Sequence, residues 1–325
     1  MKKTLLLASV SLLVASSEFK PAFTSAKAIN PSSLKQVTPS AEQTPTKARI
    51  ELLSAGSQPR QQLRFKPRLN VKERTNMTMT LDMSMSVDNQ SMPLAKSPGT
   101  IITIETQTTK IDPNGDIHYQ FAYTNADVVA DATTPPATIE SMRSQIKQLA
   151  GITGNVVIDN RGRTKQINLT LPPGLDASMK QVLNQMTDSM QQLSSLLPEE
   201  AIGIGGQWRV TESLTVSGMT ITQAATYQLV SLKNGVATVN ASLTQQAVPQ
   251  TINLANMPSG VSYNLKSYAA QGQSQTTMSF NAIMPTSSSM SLTSTSAMEM
   301  KQTGATQPTQ IGTKMSMQIN LRSQP

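Results

Sequence analysis

The chain has 325 residues, with 27 Lys and Arg against 19 Asp and Glu, one His, no Cys, 19 Met and only five Phe, five Tyr and one Trp. Without cysteine there can be no disulfide, no thiol catalysis and no lipid carried on a cysteine. With one histidine there can be no paired-imidazole metal centre. The net charge of +8 is uneven: eight basic residues between Lys47 and Arg74 face Glu51 and Glu73, while residues 75–325 are close to neutral.

Lys2 and Lys3 precede an apolar run from Leu5 to Ser17. A basic start and a short apolar core describe an export signal, since a spanning helix needs about 20 apolar residues. Ala26-Lys27-Ala28 fits a small-x-small cleavage rule, so residues 1–28 are read as a signal peptide cut before Ile29, with a cut before Glu18 as the alternative. The expected location is periplasmic or extracellular, in soluble form and not transmembrane. Residues 29–60 are rich in Ser, Thr, Pro and Gln and read as a flexible leader, with a short helical turn around Ala48 to Leu53.

Residues 61–325 form one expected β-rich domain. Leu63, Phe65, Leu69 and Val71 alternate with Arg64, Lys66, Arg68 and Lys72, and Pro67 suits an edge strand. In the next strand Met77, Met79, Leu81, Met83, Met85 and Val87 sit at every second residue, so period two puts them on one face. Ile102 and Ile104 continue the sheet, and Asp112-Pro113-Asn114-Gly115 turns the chain into Ile117, Tyr119, Phe121 and Tyr123. Ile139, Met142, Ile146 and Leu149 predict a short helix near 138–150, stopped at Gly151.

Val156 to Ile158, the turn Asp159-Asn160-Arg161-Gly162, and Ile167 to Leu171 read as a hairpin. Leu175, Met179, Val182, Leu183, Met186, Met190, Leu193 and Leu197 fall at steps of three and four and predict an amphipathic helix over 175–197. Asp176 is its expected N-cap and Pro198 its stop. Trp208, Val210, Leu214 and Val216 open a second meander, with an Asn234-Gly235 hairpin turn. Short strands follow at Tyr263–Leu265, Met278–Ala282, Met290–Leu292, Met298–Met300 and Met315–Leu321.

Antiparallel strands with one apolar face must cover it. The expected fold is α+β, predominantly antiparallel: a strongly curved, half-barrel-like sheet covered by two amphipathic helices. The alternative is a two-sheet sandwich with helices at its edge. Asp159-Asn160-Arg161-Gly162-Arg163, the amphipathic helix after it, and Gly205-Gly206-Gln207-Trp208 in this order resemble an uncharacterised family of exported bacterial β-rich proteins. The resemblance covers roughly residues 60–323 and implies localisation and architecture, not activity. By analogy the layout is also similar to half-barrels that carry lipoproteins or lipids through the bacterial envelope.

Catalytic signals are sparse. His118 is out of phase with Ile117 and Tyr119 and so reads as a residue of the polar face. No G-x-S-x-G, H-E-x-x-H or phosphate-binding glycine loop occurs. Glu199-Glu200 reads as a solvated loop, and Gly203-x-Gly205-Gly206, which follows a helix and precedes a strand, as a close-packed turn rather than a nucleotide loop. No enzymatic activity and no cofactor are expected.

Methionine pairs at Met77/Met79, Met83/Met85, Met298/Met300 and Met315/Met317 read as adaptable apolar lining, with Cu(I) binding the sharper alternative. Met77, Met79, Leu81, Met83 and Met85, with Met179, Met186 and Met190 on the helix, are the candidate cavity residues for a lipid or lipid-modified partner. Arg64, Lys66 and Arg68 are candidates for attraction to an anionic envelope surface through residues 60–74; the bland reading of that segment is a charged edge strand that resists pairing. Nucleic acid is not an expected partner. The expected function is an exported envelope protein that binds or shields something apolar; a purely structural or assembly protein is the alternative, and an unrecognised hydrolase ranks behind both.

Overall fold

A computed structural model describes residues 49–93, 97–130, 134–175, 180, 183, 187, 197–216, 218–252 and 260–324. The fold is mostly antiparallel β. Its strands are β1 (Arg49–Ser54), β2 (Lys72–Val87), β3 (Gln90–Pro93), β4 (Ser97–Ile111), β5 (Ile117–Val129), β6 (Thr153–Ile158) and β7 (Thr164–Thr170). The second half supplies β8 (Gln207–Val216), β9 (Met219–Lys233), β10 (Val236–Ala247), β11 (Gln250–Ile252), β12 (Val261–Ser279), β13 (Ser287–Gln302) and β14 (Thr309–Gln324). Helix α1 (Pro136–Lys147) joins β5 to β6 and starts with a proline in its first turn, where the missing N–H has no helical partner to lose.

The fourteen strands among the described residues belong to one hydrogen-bonded sheet in the order β1-β8-β9-β10-β12-β13-β14-β2-β4-β5-β6-β7, with β3 on β2 and β11 on β12. There is thus one sheet rather than the two of a sandwich. The last strand, β14, closes the gap between the halves by pairing along β2 from Ile311↔Val87 to Gln324↔Arg74 without a register shift. Hairpins are set by residues that tolerate positive φ: Asp88 and Asn89 between β2 and β3, Asn234 and Gly235 between β9 and β10.

Two ends of the sheet differ. The near end carries the starts of β2, β8 and β10 and the ends of β6 and β12; the far end carries the end of β2 and the starts of β4, β9 and β12. At the near end, residues 61–70 cross from one part of the sheet to another. Phe65 N donates to Asn160 O at 2.8 Å, and Lys66 N donates to Phe280 O at 2.7 Å. Leu63 and Phe65 are 1% and 2% exposed, and Phe65 meets Phe280 edge to face at 5.6 Å.

These contacts correct two expectations. Residues 62–71 do not form an edge strand: apart from the bridge Gln61↔Ile202 the segment stays off the ladder, and Leu69 and Val71 are exposed. Its backbone is bonded instead to loops on both sides. The folded part also starts earlier than residue 61, because Arg49 to Ser54 pair with β8 as β1 rather than making a helical turn. Ile50 and Leu52 face the core, and that alternation outweighs the polar composition around it.

One contiguous core draws on nearly every strand, from Trp208 and Tyr227 through Met290, Met317, Leu81 and Ile104 to Val156 and Ile167. Leu175, Leu183 and Leu197 join it. Lys180, Leu183 and Thr187 have helical backbone, with Thr187 Oγ1 donating to Leu183 O at 2.8 Å. Asp176, Met179, Met186 and Met190 lie outside the described residues.

Candidate functional site

The even register of β2 and β14 fixes a grid of side chains on the core face. From near end to far end the pairs run Met77–Leu321, Met79–Ile319, Leu81–Met317, Met83–Met315, Met85–Thr313 and Val87–Ile311. Burial falls along this line. Met77, Leu81, Met317 and Ile319 are buried in the core, Met79 and Met315 pack against it, and Met83, Met85, Val87 and Ile311 are half-buried outside it. On the neighbouring strands Leu265 faces Met298 and Tyr263 faces Met300, and Met298 faces Ile311 in turn. Tyr263, Met298 and Met300 are half-buried too, whereas Leu214, Ile221, Ile252 and Leu265 at the same end are buried, so the half-open, thioether-rich apolar surface is carried by the far ends of β2, β13 and β14.

A polar band runs obliquely through this face. Trp208, Val210, Glu212 and Leu214 alternate inward on β8 at 1%, 3%, 8% and 6% exposure, so a carboxylate occupies a core-facing position. Gln223 Nε2 donates to Glu212 Oε1 at 3.0 Å, Gln245 Nε2 to Gln223 Oε1 at 2.7 Å, and Tyr268 Oη to Gln245 Oε1 at 2.8 Å. These bonds follow the strand register: Glu212 opposes Gln223 and Gln223 opposes Gln245, and Tyr268 reaches back from the next row. Ser296 is the register partner of Tyr268 and meets Thr313 hydroxyl to hydroxyl at 2.6 Å. Burial pushes the Tyr268 phenol up to about 12, so it stays a neutral donor at physiological pH.

Sequence patterning missed this band. The signal that could have found it is a polar residue in phase with apolar neighbours: Glu212 between Val210 and Leu214, and Gln223 between Ile221 and Ala225.

The near end is packed and clasped. Trp208 stacks on Tyr227 at 5.4 Å and 13°, and burial raises the Tyr227 phenol, with Glu212 adding to the effect. Burial likewise raises Tyr119 and pushes Tyr123 up to about 12. Arg64 donates to Pro198 O and Glu199 O, and Arg161 donates from Nε to Leu197 O at 3.0 Å and pairs with Glu199. Partial burial, reinforced by the nearby Arg161 charge, lowers the Arg64 pKa. Of the three anionic-surface candidates, Arg64 is therefore turned into the protein, while Lys66 and Arg68 are exposed.

Gly203-Ile204-Gly205-Gly206 is a close-packed turn: a Cβ on Gly203 would sit 1.8 Å from Ser57 O, and Gly205 has φ +79°. His118, on the face opposite Ile117 and Tyr119, meets Asp112 at 2.6 Å, and Lys110 holds the same carboxylate at 2.7 Å. These hydrogen bonds, Lys110 first and His118 second, lower the Asp112 pKa. Among the described residues no cluster of three or more His, Asp or Glu is arranged to hold a metal, and no helix is long and apolar enough to cross a membrane.

A profile for a family of unknown function, DUF6263, matches residues 173–284, a stretch from the end of the β6–β7 hairpin to the loop after β12. None of the curated proteins matches. Among solved structures, the in-vitro folded trimer form of OmpT, an outer membrane protein of Vibrio cholerae, aligns at 6% identity over 77% of this chain and 100% of that one, with a TM-score of 0.18. The outer membrane protease OmpT from Escherichia coli aligns at 8% identity over 87% and 99%, with a TM-score of 0.15. At those scores neither bears on this chain's fold or activity.

Proposed function

We propose that this chain is an exported, non-enzymatic envelope protein whose sheet curves into a half-barrel and holds or shields an apolar, lipid-like ligand or a lipid-modified partner. The supporting observation is the contrast between the two ends of one face. The near end is closed by Leu63, Phe65, Trp208 and Phe280, whereas Met83, Met85, Val87, Met298, Met300 and Ile311 at the far end keep an apolar surface half-open. Flexible thioether chains on rigid strands suit a ligand whose shape varies, as acyl chains do.

Curvature is supported by the near-end contacts. β6 and β12 stand six steps apart in the sheet, roughly 29 Å if it were flat. Yet adjacent residues Phe65 and Lys66 bond to Asn160 and Phe280 beside those strands. A sheet bent round its core reconciles the two.

A purely structural or assembly role is the second reading, favoured by Leu175, Leu183 and Leu197, with which the chain fills its own core. Attraction to an anionic envelope surface rests on the exposed pair Lys66 and Arg68. Native mass spectrometry of protein purified from its own envelope separates the two main readings. A lipid mass retained on the folded protein supports carriage, and a bare chain at every preparation supports the structural role.

A further inference from the structure

The chain carries 19 methionines and no cysteine. With no thiol to take the first oxidising equivalents, its thioethers are the groups an oxidant meets. The fold sorts them into two sets. Met77, Met278, Met284, Met290 and Met317 are buried in the core. Met83, Met85, Met298, Met300 and Met315 are half-buried, and Met92 is 50% exposed. Strand register gathers this second set. Met83 faces Met315 across β2 and β14, Met85 faces Met92 across β2 and β3, and Met298 faces Ile311, itself the partner of Val87. Met142, half-buried on helix α1, belongs to none of these strands.

We propose that this patch is a site of reversible methionine oxidation, at which a peroxide turns the apolar far end polar. This rests on the apolar-ligand reading above and adds its regulation. With hydrogen peroxide the sulfur gives up two electrons. The O–O bond breaks, one oxygen bonds to sulfur, and the other leaves as water with both protons. A dithiol reverses the step, releasing the sulfoxide oxygen as water and becoming a disulfide. That dithiol must come from another molecule, because this chain has no cysteine. Placement decides the consequence. A sulfoxide oxygen needs water or a donor, and at a half-open position it meets water without moving the strands beneath. In the core it would be buried unpaired, at the expense of the fold. An acyl chain lying over an oxidised patch would have to strip that water away.

The test treats the full mature chain with graded hydrogen peroxide. It follows sulfoxide at each methionine by peptide mass spectrometry, the melting temperature, and fluorescence titration with the uncharged apolar dye Nile red. The first sulfoxides are expected at Met83, Met85, Met92, Met298 and Met300, with Met77, Met290 and Met317 unmodified while the protein stays folded. At that stage the melting temperature should hold and dye affinity should fall about tenfold or more, the loss that one unmet polar group supplies. Methionine sulfoxide reductases for both epimers, with dithiothreitol, should restore it. Replacing the five patch methionines with Leu should keep dye binding and make it indifferent to peroxide, whereas Met142→Leu should not protect it. If the combined variant fails to fold, Met85→Gln with Met298→Gln, which places a polar amide on the patch, should lower affinity with no oxidant present. Sulfoxides forming in the core set as fast as in the patch overturn the proposal. So does full dye affinity after the patch is oxidised, which leaves apolar binding standing. If the unoxidised protein binds no dye, the apolar reading and its regulation fall together.

Discussion

Arg64 donates from Nη1 to the carbonyl oxygen of Pro198 at 2.9 Å, tying the segment that crosses the near end to the close of the segment carrying Leu183 and Thr187. A backbone carbonyl outside the strand ladder needs a donor, and a guanidinium can supply one. Arg64→Gln is expected to cost about 1–3 kcal/mol of stability, because it strips charged donors from Pro198 O and Glu199 O. Lys66→Gln with Arg68→Gln should leave the melting temperature almost unchanged and lower sedimentation with anionic liposomes at low salt. Liposome binding lost in Arg64→Gln but kept in the double variant would reverse this division of labour.

Gly203 and Gly205 stand two residues apart and are needed for different reasons. A methyl on Gly203 would collide with the backbone at Ser57 O, and Gly206 is bounded by Gly203 O at 2.8 Å. Gly203→Ala should therefore cost on the order of 3 kcal/mol or more, since backbone on the opposing segment must move. Around Gly205 nothing lies within 4 Å of an added Cβ, but its φ is +79°. Gly205→Ala should cost about 1–2 kcal/mol through backbone strain alone. Denaturant midpoints of the two variants check the order.

How much of this was legible in the sequence depended on which side chains fill the inner face. Where large apolar residues alternate, as from Met77 to Val87, the strand, its face and its extent could be read directly. Short separate strands at Tyr263–Leu265 and Met278–Ala282 are in fact one continuous strand, β12, which ends at Ser279. Between them the core-facing positions are Ala270, Gly272, Ser274 and Thr276, small or polar, so the alternation fades. Gly272 is small because an added Cβ would meet Leu292 Cδ1 at 3.0 Å and Ser291 O at 2.9 Å. Leu63 and Phe65 were correctly apolar, but their partners lie on distant loops, which local periodicity cannot show. The Glu212–Gln223–Gln245–Tyr268 relay depends on cross-strand register; the sequence marks only that Glu212 and Gln223 fall in phase with apolar neighbours, not which side chains meet.

Asp112 links stability to pH at the β4–β5 hairpin. Hydrogen bonds from Lys110 and His118 hold its folded-state pKa below the ordinary carboxylate value. A depressed carboxylate stabilises the fold above its unfolded pKa, and that contribution disappears as pH falls through the lower folded value. The parent protein should thus lose stability more steeply than Asp112→Asn as pH falls through and below the ordinary aspartate range, with the two curves parallel well above that range. Identical slopes throughout acid denaturation would mean that the exposed Lys110 and His118 contacts contribute nothing in solution.

The contrast along the methionine grid gives the sharpest check on which end of the face is closed. Met77 is 2% exposed, set between its register partners Leu321 and Ile102, whereas Met85 is half-buried between Thr313 and Met92. Truncating a fully packed side chain removes its contacts and leaves a cavity, while a half-exposed site loses less and can be filled by water. Met77→Ala should therefore cost about 2–5 kcal/mol and Met85→Ala under about 1 kcal/mol. Replacing Met83, Met85, Met298 and Met300 together with Leu should hold the fold to within about 1.5 kcal/mol for each site, because volume and polarity are kept. The same quadruple variant addresses copper. Thioethers suit Cu(I), but one ion needs several of them to converge, and these four are spread over two strands separated by β14. Titration with Cu(I) against a competing chelator should show no tight stoichiometric uptake by the parent protein. Uptake at micromolar affinity or better that vanished in the leucine variant would make the far end a metal site rather than an apolar surface.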